Sequence, residues 1–109
     1  MRQAKVIYKN EEAGLLTQLD SGAFVFRYHD AWINATDKPP ISLTLPKNQQ
    51  EYQSEYLFPF FYNMLPEGAN KQVVCHAMRI DKEDHFSLLL ITATYDTIGA
   101  VRVIKKDNV

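Results

Sequence analysis

Hydrophobic and polar positions alternate with a period of two over the first third of the chain. In Lys5–Lys9, Val6 and Tyr8 fall on one face, the spacing of a half-buried strand. Asn10–Gly14 reads as a turn ending at Gly14. Leu15–Leu19 predicts a second strand, with Leu15, Thr17 and Leu19 on one face and Leu16 on the other. Asp20–Gly22 is a tight turn of residues that tolerate positive φ or bond their own backbone. Ala23–Tyr28 follows as a third strand, aligning Phe24, Phe26 and Tyr28, and the three segments predict an antiparallel meander. His29–Thr36, with the sole tryptophan Trp32, reads as a short helical or irregular excursion. Asp37–Pro40 is a breaker, because proline disfavours helix at itself and at the residue before it. Ile41–Leu45 alternates again and predicts a fourth strand with Ile41, Leu43 and Leu45 inward, closed by Pro46. Lys47–Gln53 reads as a polar loop.

The period then changes. Leu57, Phe61, Met64 and Leu65 form one helical stripe, which predicts a helix beginning near Leu57. Pro59 fits its first turn, Ser54 or Asn48 is available as a cap, and Pro66–Gly68 stops it. Asn70–Arg79 predicts a second helix, with Val73, Val74, Ala77 and Met78 toward the core and Asn70 as a cap. His85–Thr94 predicts a third, with Leu88, Leu89, Ile91 and Thr92 inward. Ala100–Ile104 alternates as a closing strand that returns to the meander, since alone it would leave its backbone groups unpaired. Lys105–Val109 is a polar tail. The order is α+β: a small antiparallel sheet, a meander of about four strands plus the returning strand, packed with three short helices. Residues 1–109 read as a single domain.

Composition narrows the function. At 109 residues the chain is too short for a two-lobed kinase. With 12 Lys+Arg against 13 Asp+Glu it lacks the basic surplus that phosphate neutralisation needs, so direct nucleic-acid binding is not expected. The single cysteine, Cys75, allows no intrachain disulfide. The longest apolar stretch, Leu88–Ile91, is far short of a membrane span, and no secretory signal is visible, so the expected location is the cytoplasm.

Candidate chemistry is sparse. His29, His76 and His85 have no metal-ligand spacing. Cys75 and His76 are neighbours on a helix and diverge by about 100°, so Cys75 reads as a core thiol and His76 as a solvent-facing residue. Gly14, Gly22, Gly68 and Gly99 form no phosphate cradle. Glu11, Glu12, Asp81, Glu83 and Asp84 lie in turns and read as solvated. Lys5, Lys9, Lys105 and Lys106 read as a lysine-protected sheet edge. No catalytic residue, cofactor or metal is indicated. The conspicuous segment is Tyr56–Tyr62, with five aromatics in seven residues. One helical stripe cannot bury them all. Either both faces are covered by the sheet and the other helices, or some of the aromatic surface is exposed and docks a protein partner.

This segment also carries a resemblance. Phe60–Gly68, FFYNMLPEG, resembles the F-F-x-N-L-L-P-[ED] signature of the N-terminal subdomain of HipA-type toxin kinases. Ala13–Leu16 is similar to that family's V-G-x-L strand, and Phe26-x-Tyr28-x-x-x-Trp32 to its F-x-Y-x-x-x-W. Pro40–Pro46 resembles P-L-S-L-S-L-P, and Asp96–Val101 resembles D-x-x-G-A-V. The resemblance implies a HipS-like piece of a split bacterial toxin–antitoxin system, without the kinase body and its catalytic residues. It implies a non-enzymatic module that docks on a HipA-like serine/threonine kinase body, neutralising it. The alternatives are a subunit that completes the kinase, or a co-repressor contacting a HipB-like helix-turn-helix protein. Candidate contacts surround the expected helix end at Leu65–Gly68: Tyr62, Asn63, Pro66, Glu67, Gly68, Asn70 and Lys71. Some relatives carry a bulky aromatic after P-E-G. Here that position is Ala69, which favours surface docking over an aromatic plug.

Overall fold

The computed structural model describes residues 1–65, 68–81, 83–95 and 101–106. Strands β1 (Arg2–Tyr8), β2 (Glu11–Gln18) and β3 (Phe24–Tyr28) form the expected meander. Helix α1 (Asp30–Ile33) follows, then β4 (Glu51–Ser54), α2 (Pro59–Tyr62), α3 (Gly68–Met78), α4 (His85–Tyr95) and β5 (Val101–Lys105). All pairings in the sheet are antiparallel, in the order β4-β3-β2-β1-β5. The closing strand returns to β1 as expected, pairing Val6 with Val103.

The first hairpin turns earlier than the composition suggests. Lys9 and Asn10 both take positive φ (47° and 70°), the signature of a two-residue turn whose twist matches the strands it joins. Gly14 therefore lies inside β2, opposite Val6 and Tyr28, beside a bulge between Val6 and Ile7. Only glycine fits there: a Cβ would stand 2.5 Å from the Arg27 carbonyl oxygen and 2.9 Å from the Phe26 ring.

One face of the sheet carries the core. Ala4, Leu16 and Phe26 stand opposite one another across three strands and are fully buried, as are Val6, Tyr28 and Val103 beside them. Phe61 from α2 sits on this layer, its ring 5.9 Å from Phe26 and 5.2 Å from Phe60. Phe86, Leu88 and Leu89 of α4 are also buried. On the opposite face Ile7, Leu15, Val25 and Ile104 are only half-buried, so the helices cover one side, as is common for antiparallel sheets.

Two expectations for the middle of the chain are corrected. Ile41–Leu45 is not a strand but a run of turns, and the fourth strand is Glu51–Ser54, which takes up the end of the segment expected to be a polar loop and Ser54 beyond it. Ile41 and Leu45 are buried, but Leu43 is 95% exposed. Pro39, Pro40 and Pro46 have no N–H for a ladder, so side chains hold the segment instead. The Tyr28 hydroxyl donates to the Leu45 carbonyl at 2.5 Å and accepts from the Ile41 N–H at 3.0 Å. Trp32 Nε1 donates to the Pro39 carbonyl at 2.9 Å, and the Tyr52 hydroxyl to that of Pro46 at 2.5 Å. Lys47 Nζ donates to the Ala35 and Lys38 carbonyls at 2.5 and 2.6 Å.

No helix among the described residues is long and apolar enough to cross a membrane.

Candidate protein-docking site

Helix α2 is a single turn, shorter than the stripe from Leu57 to Leu65 predicts. Pro59 occupies its first position, where a missing N–H is harmless. Asn63 ends it, its N–H bonding the Pro59 carbonyl at 3.0 Å. The stripe is inward as expected: Leu57, Phe61, Met64 and Leu65 are all buried, and so is Phe58. The aromatic surface therefore divides. Phe58 and Phe61 serve the core and Phe60 packs against it, while Tyr56 stays 77% and Tyr62 47% exposed.

Tyr62 and Asn63 are thus exposed at the end of α2, as a contact role requires. Pro66 and Glu67 lie outside the described residues, as do Asp96–Ala100 of the D-x-x-G-A-V resemblance. Gly68 does not stop a helix; it is the first residue of α3. Asn70 sits in the first turn of α3 and is exposed, while Lys71 is half-buried. Lys71 lies one turn before Cys75, which is buried, and so shares its inward side.

Helix α3 corrects the sequence reading most. Three of the four expected core residues face outward: Val73 is 66% and Met78 54% exposed and Ala77 is exposed, while Val74 is half-buried and packs against the core as expected. Cys75 lies about 200° round the helix from Val73 and is the side that packs. Cys75 is a core thiol and His76 faces solvent, both as expected. The outer side borders an open groove of about 630 Å³ lined by Gln72, Val73, Cys75, His76, Ala77 and Ile80. Sequence periodicity missed this surface; the signal available was Cys75, a preferred core residue, set opposite Val73. The helix closes where Arg79 takes φ +56°, with the Ile80 N–H bonded to the Cys75 carbonyl at 2.9 Å and the Arg79 N–H to that of His76 at 3.4 Å. This is a Schellman closure with arginine where glycine is usual.

Asp84 caps α4. Its carboxylate accepts from the Ser87 N–H (3.3 Å), the Ser87 hydroxyl (2.8 Å) and Arg2 (2.9 Å). Burial pushes this carboxyl up, but the Arg2 and Ser87 hydrogen bonds outweigh it and hold it below its usual range. Arg2 also reaches Gln18, and its guanidinium sits 4.9 Å over the Phe86 ring, so β1, β2 and α4 are tied at one end of the sheet. At the same end Tyr62 meets His85 edge-on, ring centroids 5.4 Å apart, across a cleft of about 230 Å³ that Glu55, Tyr56 and Glu83 also line.

Among the described residues no group of three His, Cys, Asp or Glu side chains stands together as a metal site. The described residues form a one-sided α+β sheet and leave apolar and aromatic side chains exposed, Tyr56, Tyr62, Val73 and Met78 among them.

The HipA N-terminal domain family model matches residues 4–104, and the chain belongs to that family. Over its whole length it superposes on a solved structure of the N-terminal domain of HipA toxin, with a TM-score of 0.72, 31% identity and 96% of that chain covered. It is 34% identical over 103 residues to an uncharacterized protein of Haemophilus influenzae, covering 94% of this chain and 92% of that protein. It is 28% identical over 108 residues to a Sinorhizobium fredii protein named "Putative kinase Y4mE", covering 99% of this chain but only 26% of that protein. The matches fall on the N-terminal subdomain of the HipA family.

Proposed function

We propose that this domain is a non-catalytic binding module that docks on the kinase body of a HipA-type toxin and holds its activity down. The observation that carries the reading is the outer side of α3, where Val73 and Ala77 border an open groove and Met78 is exposed nearby, on the same helix as Gly68, Asn70 and Lys71. A surface helix of a small domain normally turns such residues inward; left outside, they suit a protein partner. The partner is chosen by kinship. In the Sinorhizobium fredii relative the matching region is about a quarter of a protein whose name is that of a kinase, so most of that protein lies beyond this domain.

The candidate contacts are Tyr62, Asn63, Pro66, Glu67, Gly68, Asn70 and Lys71, together with the residues that line the α3 groove. Docking there restrains the kinase by position, with no residue of this domain entering its chemistry. The test is to mix the purified chain with a HipA-type kinase body from the same genome, and to measure complex formation and autophosphorylation. A complex with reduced autophosphorylation is expected. No complex and unchanged autophosphorylation ends the proposal, and faster phosphorylation replaces restraint with completion of the kinase.

A further inference from the structure

The cleft between the start of α4 and the end of α2 has a chemistry of its own. Two tyrosine rings, Tyr56 and Tyr62, and two glutamates, Glu55 and Glu83, line it, with His85 edge-on to Tyr62 and Gly22 at its rim. Among the described residues neither glutamate carboxylate has an ion-pair or hydrogen-bond partner, although Glu11, Glu12, Glu51, Asp20, Asp30 and Asp84 all have a cation or histidine beside them. Arg2, a described cation at this end, is already committed to Asp84, Gln18 and Ser87. The cleft thus joins exposed aromatic side chains to two carboxylates that no described cation pairs.

We infer that this cleft seats an arginine side chain presented by a partner protein. A guanidinium stacks on tyrosine faces and forks onto carboxylates, and it is more weakly hydrated than an ammonium, so it fits a partly enclosed aromatic site better than lysine does. The molecule already uses this chemistry a few side chains away, where Arg2 lies over Phe86 and pairs with Asp84. The acidic lining repels nucleic-acid phosphate. At about 230 Å³ the cleft suits one side chain better than a folded ligand. The inference deepens the docking reading and rests on it for the identity of the partner, since Tyr62 belongs to both surfaces.

The probe is the blocked peptide acetyl-Gly-Arg-Gly-amide, titrated into the full isotope-labelled chain at pH 8, where an ordinary histidine is neutral. Its control is the same peptide with citrulline, which keeps the shape and removes the charge. Saturable shifts of the Gly22 amide and of the Tyr62 and His85 rings are expected, with at least fivefold weaker binding of the citrulline peptide. The Glu55→Gln/Glu83→Gln variant, checked for an unchanged melt, is expected to lose at least fivefold toward the arginine peptide. An equal response to citrulline, no shifts, or undiminished binding by the variant overturns the inference. Kinase-body affinity separates the two readings. If the double variant binds the kinase as tightly as wild type, the arginine seat falls and docking stands; if wild type fails to bind, docking falls and the peptide result decides the seat.

Discussion

Replacing Tyr28 by Phe keeps the buried ring and deletes one oxygen. That oxygen is the joint between the sheet and residues 39–46, because it serves the Leu45 carbonyl and the Ile41 N–H together. Tyr28 is fully buried and Ile41 and Leu45 nearly so, which leaves little room for water to take over. A buried polar group without a partner costs about 1–3 kcal/mol, so two of them set the loss at about 2–3 kcal/mol once partial relaxation is allowed. With an unfolding entropy of about 2.1 cal/mol/K per residue, this lowers Tm by about 9–13 °C. Trp32, bonded to Pro39 in the same segment, is the sole tryptophan and reports the transition by fluorescence in urea. The midpoint should fall with the slope unchanged.

The hydroxyl also predicts an alkaline signature. Burial pushes the Tyr28 phenol up to about 12; the Ile41 hydrogen bond opposes this, and Tyr52 nearby adds to it. A group whose folded pKa is raised contributes stability fully present below its unfolded value, near 10, and lost as pH rises through 12. The wild type should therefore lose stability between about pH 10 and 12 more steeply than Tyr28→Phe. A variant that melts within about 2 °C of wild type, with the same alkaline slope, refutes the assignment of Tyr28 as the anchor of this segment.

Asp84→Ala removes the α4 cap and the Arg2 pairing and should cost about 1–2 kcal/mol in urea unfolding. Because the Asp84 pKa is lowered in the fold, its contribution is present above about pH 4 and fades as pH falls below that, so wild type and variant should converge in acid melts. Gly14→Ala forces a Cβ into the Arg27 carbonyl and should cost about 2–3 kcal/mol by the same assay, more if β2 shifts. Arg79→Gly relieves the positive φ that closes α3 and should raise stability by about 0.5–1 kcal/mol. Val73→Lys/Met78→Lys should leave stability within about 0.5 kcal/mol, yet weaken kinase-body binding at least tenfold in calorimetry.

The strands were readable where alternation and turn chemistry agreed. Phe24, Phe26 and Tyr28 fall on one face in both sequence and structure, and Gly22 takes its turn at φ +95°. The reading failed where the period of two was present without a ladder. Ile41, Leu43 and Leu45 alternate well, but the flanking prolines deny the segment a paired edge, and Tyr28, Trp32, Tyr52 and Lys47 hold it by side-chain bonds that no periodicity records. The true fourth strand, EYQS, carries one apolar side chain, Tyr52, and is defined by its partner β3 rather than by its own composition.

Helix α3 shows why the candidate site was harder to read than the fold. Periodicity reports that one side of a helix is apolar; it does not report whose surface covers that side. Val73 and Ala77 have the spacing of a core stripe, while Cys75 and the half-buried Val74 lie on the side that packs. A short helix on a small sheet can bury only one of the two, and packing selects Cys75. The surplus stripe is then either tolerated exposure or a second interface. Val73→Lys/Met78→Lys separates these: tolerated exposure leaves binding intact, while an interface loses it with the fold unchanged. The glutamates beside Tyr56 and Tyr62, which no described cation pairs, follow the same logic in electrostatic form, since charge patterning along the chain cannot show which carboxylates a fold sets beside a cation.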